Sequence, residues 1–108
     1  MNWLLRLLGY RDREYSENDF SVRIELVGRE CVSVIHRRQG TSLNLSGDRI
    51  GRKREAIELH IPQDVEAAQV PQIVRDLETA FVAMGYGYVI ARKAGIDIVL
   101  EIPLLLKP

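Results

Sequence analysis

The chain has 108 residues, of which 46% are hydrophobic and 28% are charged, with fifteen acidic and fifteen basic side chains. This balance predicts one domain with its own core, and it excludes both a globally basic nucleic-acid protein and a self-repelling disordered acidic chain. A single cysteine, Cys31, excludes an intramolecular disulfide and favours a reducing compartment, so we expect a cytoplasmic protein.

The first predicted element is a short amphipathic helix near the N-terminus. Its apolar face comprises Trp3, Leu4, Leu7 and Leu8. Arg6 interrupts the apolar run and no cleavage pattern follows, so we expect a soluble, uncleaved chain. Such a short helix is unstable alone, and we expect it to pack on its own sheet or to dock on a protein partner. A membrane surface is disfavoured because few basic residues lie nearby.

Four short segments then alternate apolar and polar residues, which is typical of half-buried strands. They cover residues 20–26, 31–37, 42–46 and 57–61. In the second segment either Val32 and Val34 or Cys31 and Ile35 could face inward. Gly40 marks one turn, and we expect Gly47, Asp48 and Gly51 to form another. The pattern predicts an antiparallel four-stranded meander.

The apolar spacing changes to three and four residues after Pro62, which predicts one main helix over residues 71–84. Pro71 fits the first turn and Gly85 fits the left-handed position that ends a helix. An alternative helix starts near Asp64 and is kinked at Pro71. The polar side chains predicted to lie off the apolar stripe are Arg75, Asp76, Glu78 and Thr79.

Residues 86–93 and 96–102 predict a C-terminal β-hairpin with a turn at residues 94–95. Simple alternation places Ile96, Ile98, Leu100 and Ile102 on one face. The fold is therefore predicted to be α+β, with the element order β-β-β-β-α-β-β and a short N-terminal helix. We expect a single domain over 1–108, in which residues 1–19 form the helix and a polar connector and residues 20–104 form the core.

The charge is distributed unevenly, because residues 37–54 contain six basic side chains and one acid, Asp48. The candidate anion-binding residues are Arg37, Arg38, Arg49, Arg52, Lys53 and Arg54. A local basic field attracts phosphates or nucleic acid, but no aromatic residue lies between them to stack on bases. A solvated, charged hairpin that protects a sheet edge is the alternative interpretation.

No catalytic pattern emerges from the remaining polar residues. Cys31 and His36 are five apart on one strand and so project to opposite faces. The spacing of the histidines and the cysteine fits no zinc site, and we expect neither a metal nor another cofactor. Glu58 and His60 share the wet face of one strand and could form an acid-base pair, as ordinary exposed residues also would.

These patterns favour a non-enzymatic protein-interaction or adaptor domain. A six-stranded sheet offers more apolar surface than one helix covers, so we expect a homodimer or another assembly. The candidate interface residues are Trp3, Leu4, Leu7, Leu8, Leu104, Leu105 and Leu106. The alternative function is nucleic-acid or phosphoanion binding through the basic segment.

Overall fold

The computed structural model describes residues 13–28, 30–50, 56–86, 88–93 and 96–102. In these ranges the chain forms seven strands and one α-helix. The strands are β1 (Arg13–Ser16), β2 (Phe20–Leu26), β3 (Cys31–Arg38), β4 (Thr41–Ile50), β5 (Ala56–Ile61), β6 (Tyr88–Lys93) and β7 (Asp97–Ile102). Helix α1 spans Val70–Met84 and follows a 3₁₀ turn at Ala67–Gln69.

All seven strands belong to one sheet, in which they follow chain order from β1 to β7. Neighbouring strands are antiparallel except for β5 and β6, which are parallel. This exception arises because α1 connects the two strands as a crossover, and a parallel pair requires such a connection. The predicted α+β class holds, but the four-stranded antiparallel meander is wrong: the protein has a mixed seven-stranded sheet.

The extra strand, β1, lies in the segment that was predicted to be a polar connector. Only Tyr15 of its four residues packs against the core, so β1 has no apolar alternation. Antiparallel pairing with β2 along all four residues holds it, together with contacts distant in sequence. Arg13 Nη1 donates a 2.8 Å hydrogen bond to the carbonyl oxygen of Met84, and its guanidinium lies 5.2 Å from the centre of the Tyr86 ring.

Strand β4 is longer than predicted, because Gly47 and Asp48 continue it instead of forming a turn. Gly47 is buried and pairs with Val32 and Leu59. A Cβ atom at this position would lie 2.7 Å from Leu59 Cδ2 and 2.8 Å from the carbonyl oxygen of Glu58. The glycine is therefore explained by close packing inside the sheet.

The turn predicted at Gly40 is confirmed. Gln39 and Gly40 connect β3 to β4 with φ values of 52° and 78°. Positive φ at both positions of a two-residue loop matches the twist of the flanking strands. This tight turn places the end of β3 directly beside the start of β4, with Arg38 paired to Thr41.

The main helix is confirmed within one residue of its predicted start. Gly85 ends it in the left-handed conformation, with φ of 82°. Its buried stripe includes Ile73, Leu77, Ala80 and Phe81. The helix contacts β1 and β2 near one end of the sheet and β7 at the other end, so the sheet curves around it.

The two faces of the sheet therefore differ. We call the face toward α1 the core face and the opposite one the open face. The core face carries buried side chains from β2 to β7, such as Ile24, Val34, Leu45, Leu59 and Val89. Within the described ranges no helix covers the open face, and its residues are mostly polar or charged.

An irregularity in β7 overturns the predicted shared face of its apolar residues. Ala91 pairs with Leu100, whereas the next residue, Arg92, pairs with Ile98, so Val99 is an extra residue. Such a bulge breaks the period of two. Leu100 therefore stays on the core face with 6% exposure, while Ile98 turns to the open face with 50% exposure.

The predicted N-terminal helix lies outside the described residues, as does the turn predicted at residues 94–95. Among the residues that the structure describes, no helix has the length and apolar character needed to span a membrane.

Candidate functional site around Asp76

Asp76 is the one carboxylate that the described part of the chain buries. It lies on α1 between Ile73 and Leu77 and is 2% exposed, although the helical pattern predicted it off the apolar stripe. Its position at the edge of this stripe directs it toward β3. Burying a charged group costs free energy unless the group is paired, so its partners explain its presence.

Four hydrogen bonds satisfy the carboxylate. His36 Nε2 donates to Oδ2 at 2.8 Å, and Arg38 donates from Nε to Oδ2 at 2.8 Å and from Nη2 to Oδ1 at 3.0 Å. Gln72, one helical turn earlier, donates from Nε2 to Oδ1 at 2.9 Å. His36 and Arg38 reach the same side because alternate residues of a strand share a face. We call these four residues the Asp76 cluster.

The cluster keeps Asp76 ionised. Burial alone would raise the pKa of Asp76, but the hydrogen bonds from Arg38, His36 and Gln72 outweigh it and lower the pKa below its ordinary value of 3.8. The hydrogen bond to Asp76 likewise raises the pKa of Arg38. An ionised carboxylate only accepts hydrogen bonds, so His36 Nε2 carries the proton that it shares with Asp76.

This arrangement favours a structural role for Asp76 over acid-base chemistry. A general base needs an oxygen that can take a proton from a substrate. Both oxygens of Asp76 are already engaged by donors, two of them from an arginine that holds the carboxylate in a fork. The cluster ties helix α1 to strand β3.

A cavity of about 370 Å³ lies beside the cluster, between the β3–β4 turn and the start of α1. We call it the hairpin cavity. His36, Arg38 and Gln72 reach it from the cluster. Its remaining lining residues are Gln39, Thr41, Ser42, Leu43, Val65, Ala68, Gln69 and Ile73. It therefore combines hydrogen-bonding groups with an apolar wall.

A second cavity, of about 630 Å³, borders the opposite end of the β3–β4 hairpin. Cys31, Asp48 and His60 line it, and His60 Nε2 lies 3.8 Å from Asp48 Oδ2. Cys31 is on β3 and His60 on β5, so β4 separates them by two strand spacings, roughly 10 Å. They do not form a thiolate-imidazole pair. Cys31 and His36 lie on opposite faces, as predicted.

Glu58 and His60 share the open face, but each has a different partner. Arg92 Nε donates a 2.6 Å hydrogen bond to Glu58 Oε2, while His60 faces Asp48. The predicted acid-base pair is therefore not assembled. In the described part of the chain, no group of three or more histidine, cysteine, aspartate or glutamate side chains could hold a metal ion.

Of the six candidate anion-binding residues, the three that the structure describes do not form one surface. Arg37 is exposed at one end of the β3–β4 hairpin, where its Nε lies 3.4 Å from Ser42 Oγ, and Arg38 is held by Asp76. Arg49 lies seven residues beyond Ser42 along β4, which is roughly 23 Å. The other three, Arg52, Lys53 and Arg54, fall outside the described residues. Anion or nucleic-acid binding stays a prediction.

The candidate interface residues at both termini, residues 3–8 and 104–106, also fall outside the described ranges. Sequence reasoning missed the Asp76 cluster altogether. One signal was present: a helical aspartate flanked by buried positions, with a histidine and an arginine alternating on a predicted strand. Predicting that the aspartate pairs with this histidine and arginine required knowing which strand faces the helix.

Comparison of the chain with protein-family models, with curated proteins and with solved structures finds no match. The fold defines a small α+β protein with a mixed sheet and a helix on its core face. A fold of this kind does not determine a function, so the surfaces and cavities of the described residues carry the functional information.

Proposed function

We propose that this chain is a non-enzymatic protein-interaction domain that self-associates through strand β7. The observation that carries the proposal is the combination of an available sheet edge with exposed isoleucines. Ile96 is 75% exposed and Ile98 is 50% exposed, and they lie just before and within β7. Among the described strands, β7 has only β6 as a neighbour.

The opposite edge of the sheet makes a useful contrast. Strand β1 has four residues, of which three are exposed and polar, and Arg13 anchors it to the end of α1. Short, charged edges resist pairing with other chains. Strand β7 has six residues and presents Ile98 on the open face. An edge of this kind is a template for another strand.

A second copy of β7 fits this edge in an antiparallel arrangement. If Val99 of one copy lies opposite Leu100 of the other, Ile98 lies opposite Glu101, and Asp97 opposite Ile102. Residues paired in this way share a face, because Ile98 and Glu101 are both on the open face. Leu100 and Ile102 are on the core face, as are their partners: Val99 packs against the core, and Asp97 pairs with Lys93 of β6. No acid then faces an acid, which would be destabilising.

Burial of the exposed isoleucines would contribute substantially to the free energy of association. Fully burying an isoleucine side chain stabilises an association by about 1.5 to 3 kcal/mol, and two-fold symmetry buries each residue twice. The predicted interface residues Leu104, Leu105 and Leu106 follow β7 in the sequence after Pro103. Together these features support a homodimer, with docking of a different protein strand as the related adaptor function.

Sedimentation velocity tests the proposal. The wild-type protein at micromolar concentration, under reducing conditions because Cys31 is exposed, should sediment at twice the 12.3 kDa chain mass. Ile98→Glu should sediment as a monomer, because it places a glutamate opposite Glu101 of the second copy. Val82→Glu is the matched control, since Val82 is 59% exposed on α1, and it should remain dimeric.

A monomeric wild-type protein across this concentration range would contradict the proposal. Equal behaviour of Ile98→Glu and Val82→Glu would contradict the assignment to β7. Circular dichroism of all three proteins should be the same, which shows that the substitutions act on association and leave the fold intact.

A further inference from the structure

We infer that the hairpin cavity binds an uncharged aliphatic alcohol. Its volume of about 370 Å³ lies in the range of small-molecule sites, which are typically about 300–1,000 Å³. Such sites combine an apolar lining with a few polar groups that orient the ligand. The hairpin cavity has both, and one side chain of its lining carries a hydrogen-bond acceptor that has no partner.

That acceptor is Nδ1 of His36. The residue is 5% exposed and its Nε2 donates to Asp76, whereas no hydrogen bond within the described part of the chain reaches Nδ1. In a neutral imidazole with the proton on Nε2, the other nitrogen accepts a hydrogen bond. Every completely buried side-chain nitrogen and oxygen among the described residues has a partner, so Nδ1 must border open space. The hairpin cavity, which His36 lines, is that space.

A ligand that satisfies Nδ1 must therefore donate a hydrogen bond to it. Asp76 holds the ring through Nε2, so Nδ1 has a fixed orientation before any ligand arrives, and this reduces the entropic cost of binding. A hydroxyl group donates one hydrogen bond and can also accept. The exposed amides of Gln39 and Gln69 line the cavity and can donate to the hydroxyl oxygen.

The charges around the cavity favour an uncharged ligand. None of the described residues that line it is acidic, so an ammonium group would find no counter-charge. Arg38 lines it, but Asp76 balances the charge of Arg38, and Asp19 and Glu17 also act on it. A carboxylate would find no unbalanced positive charge, and it would face the lone pair of His36 Nδ1. A hydroxyl group avoids both costs.

The apolar wall determines the rest of the ligand. Its residues are Leu43 on β4, Val65 and Ala68 before α1, and Ile73 within α1. An aromatic ligand would find no aromatic side chain of this wall on which to stack, whereas an alkyl chain is complemented by aliphatic side chains. An unbranched alcohol such as n-hexanol combines a donor for His36 Nδ1 with a chain for this wall.

Titration with n-hexanol at about pH 8, where a histidine ring is ordinarily neutral, tests this inference. Correlation of the ring protons with the ring nitrogens by NMR follows Nδ1 of each histidine. The Nδ1 signal of His36 should move upfield in a saturable way, because this nitrogen accepts a new hydrogen bond. The chain has two histidines, and His60 lies on the open face, so its signals are an internal control and should stay fixed.

Methyl pentyl ether is the matched ligand, because it is an isomer of n-hexanol that cannot donate a hydrogen bond. It should bind at least about tenfold more weakly, since it leaves the buried acceptor unpaired. Hexanoate and hexylamine should also bind more weakly than n-hexanol, because each brings a charge that the lining does not balance. Equal affinity for the alcohol and the ether, or tighter binding of either charged compound, would overturn the inference.

Two variants fill the cavity without touching the cluster. Ala68→Trp should abolish the n-hexanol shift, whereas Ala83→Trp, at the exposed far end of α1, should retain it. Gln69→Trp is a second filling variant if Ala68→Trp does not fold. Equal shifts in the filled and control variants would overturn the inference, as would the absence of a saturable Nδ1 shift in the wild type.

Discussion

The two faces of the sheet each carry a histidine-aspartate pair, and the two pairs differ in almost every physical respect. On the core face, His36 Nε2 lies 2.8 Å from Asp76 Oδ2, with side-chain exposures of 6% and 3%. On the open face, His60 Nε2 lies 3.8 Å from Asp48 Oδ2, with exposures of 39% and 56%. The same residue types therefore form a buried clamp in one place and a loose surface contact in the other.

Burial explains why Asp76 needs more hydrogen-bond partners than Asp48. Asp76 accepts hydrogen bonds from Arg38 and Gln72 in addition to His36, because the acceptor positions of a desolvated carboxylate must be satisfied. Asp48 is solvated and does not require additional hydrogen-bond donors from the protein. The core face therefore carries the buried contacts that stabilise the protein, whereas no helix in the described part of the chain covers the open face.

The largest expected effect of a substitution is that of Asp76→Asn. It removes the charge that Arg38 and His36 share, and breaking a buried ion pair typically costs about 3 to 5 kcal/mol. Because the Arg38 side chain is 26% exposed and partly screened, we expect about 3 kcal/mol. Urea unfolding at one protein concentration measures it. The matched Asp48→Asn should cost less than about 0.5 kcal/mol. Equal losses in the free energy of unfolding for the two variants would contradict the difference between the buried and the exposed pair.

Gly47→Ala should destabilise the core face by about 2 kcal/mol, because the new methyl group overlaps Leu59 and the carbonyl oxygen of Glu58. Gly28→Ala is the control, since a Cβ atom there meets nothing within 4 Å. The difference between the two midpoints of urea unfolding measures the effect. A Gly47→Ala protein as stable as the Gly28→Ala protein would show that β4 and β5 are packed less closely than described.

The stability contributed by Asp76 should also depend on pH in one direction. The folded-state pKa of Asp76 is lowered, so its contribution is complete above the ordinary value of 3.8 and is lost as the pH falls through the lower folded-state pKa. The free energy of unfolding should therefore fall more steeply below about pH 4 in the wild type than in Asp76→Asn. Parallel curves for the two proteins would contradict the lowered pKa.

A small effect is also expected for an ion pair on the open face. Glu58→Gln weakens the 2.6 Å contact with Arg92, but both side chains are about one third exposed. Partly exposed pairs contribute about 0.2 to 1 kcal/mol, so we expect a loss of at most about 1 kcal/mol that shrinks in high salt. A loss as large as that of Asp76→Asn would show that ion pairs on the open face contribute as much to the free energy of unfolding as the Asp76 cluster does.

Local patterns were sufficient for the elements that bury an apolar face. The alternation in β2 and the helical spacing from Val70 to Met84 both reflect the core directly, and Gly85 supplied the end of the helix. They failed where a distant contact decides the structure. Strand β1 lacks apolar alternation and forms by pairing with β2, with Arg13 also reaching the end of α1, and the bulge at Val99 depends on pairing with β6.

The candidate site was less accessible to prediction for the same reason. A buried aspartate looks like a surface residue until its partners are known, and those of Asp76 on β3 lie 38 and 40 residues away. The basic segment looked continuous in sequence, yet the hairpin places Arg37 and Arg49 far apart. Residue type alone does not distinguish Asp76 from Asp48.

The association proposed for β7 is tested most directly by a charge swap across the expected strand pair. Ile98→Glu should be monomeric, and adding Glu101→Lys should restore the dimer, because each new glutamate then faces a new lysine of the second copy. Sedimentation of the double variant at twice the chain mass is the result that we predict. A double variant that stays monomeric while the wild type is dimeric would contradict the antiparallel pairing of β7.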